Sequence, residues 1–128
     1  MADPNKTIAI IGASNNRRKY GNIAVRAYVD QDFTVYPVNP NEETIEGLQC
    51  YPSVKDIPGE VETISVYLTP HKTLEVLEDI AAKNPDLLFL NPGSESEEVI
   101  NQALELGLNP VQACSVLAVG KMPSEYGP

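Results

Sequence analysis

The stretch Thr7-Ile-Ala-Ile-Ile-Gly-Ala-Ser-Asn-Asn-Arg-Arg-Lys-Tyr-Gly21 decides the fold. Its first five residues form a short run, rich in isoleucine, that stops at Gly12, the pattern of a strand buried on both faces. Beyond the polar loop, Asn22–Gln31 sets Ile23, Ala24, Ala27 and Tyr28 on one helical face. A buried strand, a glycine-led loop and a helix in that order open a βαβ unit.

The alternation continues along the chain. Phe33–Val38 reads as a second strand closed by Asn39-Pro40-Asn41, Thr63–Leu68 as a third, Leu87–Leu90 as a fourth and Val111–Cys114 as a fifth. Thr69-Pro70 starts a helix, with threonine as cap and proline at the first helical position, followed by a stripe of Leu74, Leu77, Ile80 and Ala81. Ser94 and Glu97 have capping-box spacing ahead of Val99, Ile100, Ala103 and Leu104, and Gly107 stops that helix. Asn41–Pro58 reads as a linking stretch with one short helical turn at Val54–Ile57, and Ser115–Pro128 as a weakly patterned tail. The four short β-rich runs exclude an amphipathic helical bundle. The expected architecture is α/β: a Rossmann-like, doubly wound, mostly parallel five-stranded sheet with helices on both faces. One domain over 1–128 is expected, with a core over about 7–114 and a polar N-terminal segment 1–6; 128 residues suffice for a core without staples.

Composition narrows the function. A net charge of −9 argues against nucleic-acid binding, which needs clustered Lys and Arg. Against that acidic background, Arg17, Arg18, Lys19 and Arg26 fall within ten positions, a local cationic patch that suits a small anionic ligand or a solvated loop. The spacing of Cys50 and Cys114 leaves pairing open; with no CxxC and no metal-like Cys/His spacing they read as reduced thiols, and no metal is expected. No apolar run approaches the roughly eighteen residues of a membrane span, and Met1–Lys6 lacks a signal-peptide core. A cytoplasmic protein is expected, either a homodimer or bound to a partner protein.

In doubly wound sheets ligands lie beyond the carboxyl ends of the strands, where the strand order reverses. Four loops are selected by that rule. In the first, Gly12, Ala13, Ser14 and Asn15 offer a tight turn, backbone amides and side-chain donors, while Arg17, Arg18 and Lys19 supply charge for a phosphate. Neither GxGxxG nor a P-loop occurs: the next glycine after Gly12 is Gly21. In the second, Val38, Asn39 and Pro40 present no acid to grip a ribose diol until Glu42, which disfavours NAD and leaves an apolar ledge for an adenine ring. In the third, Thr69, Pro70 and Lys72 face the ligand. His71, the single histidine, reads as polar surface rather than a catalytic base. In the fourth, Asn91 and Gly93 give a close backbone approach. Cys114, on the same rim, reads as structural or ligand-adjacent, and no catalytic residue is assigned. The residues alone specify a small-molecule nucleotide ligand other than NAD.

The phrases Ile8-Ala-Ile-Ile-Gly-Ala-Ser14-Asn and Val35-Tyr-Pro-Val-Asn-Pro40, then Gly47 and Tyr51-Pro-Ser-Val54, resemble the stand-alone CoA-binding domain family, similar to the N-terminal domain of the succinyl-CoA synthetase alpha subunit. The resemblance runs from about Thr7 to Cys114. It implies coenzyme A, or acyl-CoA, lying across the strand ends, with its phosphates at Gly12–Asn15 and its nucleotide flanked by Val38–Pro40. Thr69-Pro70 and Asn91–Gly93 would line the path to the pantetheine arm. Arg17-Arg18-Lys19 and Asn91-Pro92-Gly93 depart from the family pattern. The implied activity is CoA binding without catalysis, regulatory in role. The alternatives are a subunit of an acyl-CoA-forming ligase that requires a partner chain, and an NAD(H)-responsive protein.

Overall fold

The computed structural model describes residues 3–128 of the chain. Of the expected polar segment 1–6, Met1 and Ala2 lie outside the described residues. The first strand, β1, spans Asp3–Ile11, so it starts before the expected Thr7, with an irregular register between Asp3 and Thr7. Helix α1 (Tyr20–Asp30) and β2 (Phe33–Val38) follow. Next come two two-residue strands, β3 (Thr44–Ile45) and β4 (Leu48–Gln49), and a 3₁₀ turn at Val54–Asp56. The remainder is β5 (Thr63–Val66), α2 (Pro70–Ala82), β6 (Leu87–Leu90), α3 (Glu97–Glu105), β7 (Pro110–Gln112) and α4 (Ser115–Ala118).

Five strands form one sheet in the order β2-β1-β5-β6-β7, and every pair is parallel. The chain steps outward from β1 to β2, then crosses back to β5 and proceeds the other way. This is the doubly wound arrangement expected, with its reversal between β1 and β5. Strand β1 is an interior strand, and its Ile8–Ile11 half is covered on both faces. Ile8 and Ile10 pack with Ile23, Ala24, Ala27 and Tyr28 of α1 and with Val116 of α4. Ala9 and Ile11 pack on the other side with Leu77 and Ile80 of α2 and Val99 and Ala103 of α3. That is why β1 reads as a continuous apolar run rather than an alternating one.

Three expectations change. The 41–58 stretch is more than a link: β3 and β4 form an antiparallel hairpin whose turn, Glu46-Gly47, has positive φ at both residues (49° and 77°). The cap of α3 is Ser96, whose Oγ accepts from the Val99 amide at 3.1 Å, while Ser94 instead donates to the Val66 carbonyl. Residues 115–128 are also more ordered than their pattern suggests. Ser115 and Val116 are fully buried in α4, and Tyr126 packs against the α1-side core.

Candidate functional site

The reversal between β1 and β5 opens a cleft of about 880 Å³ at the carboxyl edge of the sheet, in the size range of small-molecule sites. It is built first by two glycines. Gly12 ends β1 at φ 87°, and a Cβ there would lie 2.6 Å from the Tyr67 carbonyl oxygen. A Cβ on Gly21, in the first turn of α1, would lie 2.2 Å from the Gly12 oxygen. The missing side chains therefore let β1, the loop after β5 and α1 close on one another. The close approach expected for a ligand at Gly12 is made, on its Cβ side, by the protein's own backbone.

The loop between those glycines is held from within and from outside. Ser14 Oγ accepts from the Asn16 amide (3.0 Å), and Asn16 Oδ1 accepts from the Arg18 amide (3.1 Å). Asn15 turns away from the cleft, donating to Glu42 Oε2 (2.6 Å) and to the Thr44 carbonyl (2.9 Å). Arg17 also faces the hairpin, 3.5 Å from Glu46. Of the four clustered cations, Lys19 lines the cleft; Arg17, Arg18 and Arg26 do not. Gly12, Ala13 and Ser14 line it as well.

At the end of β2, Val38, Asn39 and Pro40 all line the cleft. Asn39 uses its amide to brace the loops, donating to the Ala13 carbonyl (2.8 Å) and accepting from the Asn41 amide (2.8 Å). Beside it Cys50 is buried, which pushes its thiol pKa up, and its Sγ donates to the Asn39 carbonyl at 3.5 Å. Tyr51 bridges Val38 in parallel and so delivers Pro52, Ser53 and Val54 to the cleft wall, three residues that sequence reasoning did not assign. Tyr51-Pro-Ser-Val54 was the available signal for them.

After β5, Thr69 and Lys72 line the cleft, joined by Tyr67, Leu68, Glu75 and Val76, while Pro70 lies outside the lining. His71 projects into solvent with Glu75 at 3.7 Å. After β6, Pro92, Gly93 and Ser94 line the cleft. Asn91 does not: its side chain is buried and bonded at both ends within the protein. Its Nδ2 donates to Ser65 Oγ (2.7 Å) and the Val66 carbonyl (2.8 Å), and its Oδ1 accepts from the Ser115 amide (2.8 Å). Ser115 Oγ in turn meets Ser65 Oγ and the Tyr67 hydroxyl, each at 2.8 Å, and its carbonyl accepts from the Tyr28 hydroxyl. Burial raises both phenol pKa values, Tyr67 to about 12 and Tyr28 further still. Cys114 precedes this knot as the N-cap of α4 and packs on the α1-side core, outside the cleft lining.

The electrostatics of the rim are asymmetric. Helix α3 satisfies its own start with Ser96 and carries Glu97 and Glu98 in its first turn. Helices α1 and α2, which flank the reversal, have no side-chain cap and no acid in the first turn. Two uncapped helix starts with Lys19 and Lys72 suit an anion. Val38, Pro40, Val54, Leu68 and Val76 give the same cleft an apolar wall. The cleft thus joins a cationic, amide-rich end to an apolar wall.

The comparisons agree with that geometry. The pattern of a family described as "CoA binding domain" matches residues 6–120. The alpha subunit of ADP-forming acetate–CoA ligase II from Pyrococcus furiosus is 44% identical over 66 residues, a match covering 51% of this chain and 14% of that subunit. The chain thus spans about a seventh of that curated relative. Among solved structures, a conserved hypothetical protein of Pyrococcus furiosus superposes with a TM-score of 0.81 at 35% identity, covering 88% of this chain and 98% of that one. An acetyl-coenzyme A synthetase of Korarchaeum cryptofilum, in complex with phosphate and ADP, superposes at 0.74 with 28% identity, over 83% of this chain and 25% of its own. No described helix is long and apolar enough to cross a membrane. With its match over 6–120 and this cleft, the chain belongs to the CoA binding domain family.

Proposed function

We propose that this chain is the CoA-binding unit of an acyl-CoA-forming ligase whose remaining machinery is supplied by other domains or a partner chain. The observation that carries the reading is the cleft at the β1/β5 reversal, cationic and amide-rich at one end and apolar along its wall. In it, Lys19, Lys72 and the uncapped starts of α1 and α2 hold the phosphates, and Val38 and Pro40 flank the adenine. Leu68, Val76 and the Pro92–Gly93 turn guide the pantetheine arm. The chain binds and orients CoA; the bound coenzyme supplies the thiol that accepts the acyl group. The ADP-forming ligase relatives support this assignment.

A second reading, a stand-alone CoA or acyl-CoA binder with a regulatory role, is favoured by one observation: the match covers 98% of the solved chain of the Pyrococcus furiosus hypothetical protein, a likeness not confined to a small part of a larger ligase. An NAD(H) site is disfavoured because Asn39 stands at the end of β2 with both ends of its amide bonded, and the next acid, Glu42, is bonded to Asn15.

Calorimetric titration with CoA, dephospho-CoA, ADP and NADH tests the ligand. CoA is expected to bind most tightly, and Lys19→Ala and Lys72→Ala each to weaken it about fivefold, roughly 1 kcal/mol, as befits partly solvated charge contacts. Arg18→Ala should stay within about twofold. NADH binding without CoA binding overturns the reading. Acyl-CoA formation only in mixture with a co-purifying ATP-dependent partner separates the ligase subunit from the stand-alone binder.

A further inference from the structure

The cation cluster contains one member whose side chain turns away from the cleft and is fully engaged elsewhere. Arg26 rises from the middle of α1 and spreads its guanidinium over three segments. Its Nε donates to Asn22 Oδ1 at 2.7 Å, within α1. Its Nη2 donates to the Arg17 carbonyl at 2.8 Å, in the loop that borders the cleft. Its Nη1 donates to the Gly127 carbonyl at 2.7 Å, in the C-terminal tail. The same guanidinium lies 5.5 Å from the centre of the Tyr126 ring, and the Tyr126 hydroxyl donates to Asp30 Oδ2 at 2.9 Å. The tail therefore crosses α1 and is held there at Arg26 and at Asp30.

Asn22 extends this grip. It is fully buried, and an amide in such a place has two orientations. Arg26 offers donors only, so it selects the orientation with Oδ1 toward itself. That leaves Nδ2 to donate to the Ser14 carbonyl (2.9 Å) and to Glu46 (3.0 Å). Arg26 thus holds the loop at both ends, at Arg17 directly and at Ser14 through Asn22. Ser14 and, just past Arg17, Lys19 are cleft residues. A planar fork with five donors can serve three carbonyl-type acceptors and a ring at once; a lysine cannot.

We propose that Arg26 is a positioning residue through which the seating of the C-terminal strap, Lys121–Gly127, on α1 sets the conformation of the Ser14–Lys19 loop and with it the anion affinity of the cleft. The strap is anchored by few groups, the kind of segment that opens locally without global unfolding. When it lifts, the guanidinium loses the Gly127 carbonyl and the Tyr126 ring, and its hold on Arg17 and Asn22 loosens. Linkage makes the effect reciprocal: a ligand that needs the ordered loop stabilises the seated strap. The CoA reading enters only in naming the ligand.

The test uses the full chain with Tyr126→Ala, Arg26→Gln, their double variant and Arg26→Lys, followed by amide hydrogen exchange without ligand and by titration with CoA. The amides of Asn16, Arg18 and Lys19 are internally bonded and report loop order directly. Tyr126→Ala, outside the cleft, is expected to speed their exchange about tenfold and to weaken CoA binding three- to tenfold. Arg26→Gln should do the same, the double variant no more than Arg26→Gln alone, and Arg26→Lys should recover part of the loss. Added CoA should slow exchange at the Tyr126 amide. Unchanged loop exchange in a folded Tyr126→Ala protein overturns the proposal, as does additivity in the double variant. If Arg26→Gln fails to fold, Tyr126→Phe, which removes only the Asp30 bond, gives an intermediate loop exchange or overturns the proposal. If the wild-type chain binds no CoA, the ligand reading falls while loop exchange still decides the coupling.

Discussion

At Gly21 a Cβ would sit 2.2 Å from the Gly12 carbonyl oxygen, and at Gly12 one would sit 2.6 Å from that of Tyr67. Neither obstacle is a flexible side chain, so backbone must move. Gly12→Ala and Gly21→Ala are each expected to cost about 3 kcal/mol in urea denaturation, the upper part of the range for overpacking. Gly107→Ala is the control: its φ is +79° but nothing lies within 4 Å of an added Cβ, so the cost is the backbone strain alone, about 1 kcal/mol. Equal losses at all three positions would refute the packing argument. Asn91 belongs to the same scale. Asn91→Ala leaves the Ser115 amide and the Ser65 hydroxyl short of a buried partner, and a loss of about 3 kcal/mol is expected, well above the cost at any exposed asparagine. Here the sequence showed which positions matter but not what they touch. Gly12 and Asn91 sit at the predicted edge, yet the protein groups they touch are tens of residues away.

The three longer helices after the strands differ in how they begin. Helix α3 is closed by Ser96, so Ser96→Ala should lower stability by about 1 kcal/mol and leave CoA affinity unchanged. Thr69, at the same position of α2, makes no side-chain cap bond; Thr69→Ala should therefore cost less than about 0.5 kcal/mol in denaturation. A Thr69→Ala loss as large as that of Ser96→Ala would mean that α2 is capped and its amides unavailable to an anion. The stripes made all three helices legible, because apolar periodicity records burial, which the fold uses directly. Their ends were less so: Ser94 and Ser96 both stand before Val99, and which hydroxyl caps depends on the Val66 carbonyl that claims Ser94. The β3–β4 hairpin was illegible for a related reason. Two-residue strands carry no alternation, and Glu46-Gly47 lacks the Asn-Gly or Asp-Gly signature of such turns. With the hairpin went Pro52, Ser53 and Val54, one wall of the cleft.

Across the whole molecule, the sheet could be read because Ile8–Ile11 of β1, Thr63–Val66 of β5 and Leu88–Leu90 of β6 are buried without alternation. The tail could not, because polar bonds between distant residues hold it: Tyr28 to Ser115, Arg26 to Gly127, Tyr126 to Asp30. Those bonds make the protein's response to alkali a test of the fold as a unit. Tyr67 and Tyr126 are pushed up to about 12, in both chiefly by burial, and Tyr28 is raised further, again chiefly by burial. Each folded-state value lies above the unfolded value of 10.0. The unfolded chain therefore releases these protons first, and stability falls as pH rises. Their contribution is complete below about pH 10; for Tyr67 and Tyr126 it is lost between about pH 10 and 12, and for Tyr28 the loss extends higher. Melting temperature should be insensitive to these groups through neutral pH and decline steeply above about pH 10. At about pH 11 the folded protein should show a phenolate absorbance no more than about half that of the denatured chain, since three of its six tyrosines stay largely protonated. Tyr28→Phe removes the largest of the three contributions and should flatten the alkaline decline while lowering stability at pH 7 by about 1 kcal/mol, the worth of its bond to the Ser115 carbonyl. A full phenolate signal at about pH 11 with native circular dichroism would show that Ser115 and its ring of hydroxyls do not bind α4 to the sheet as described.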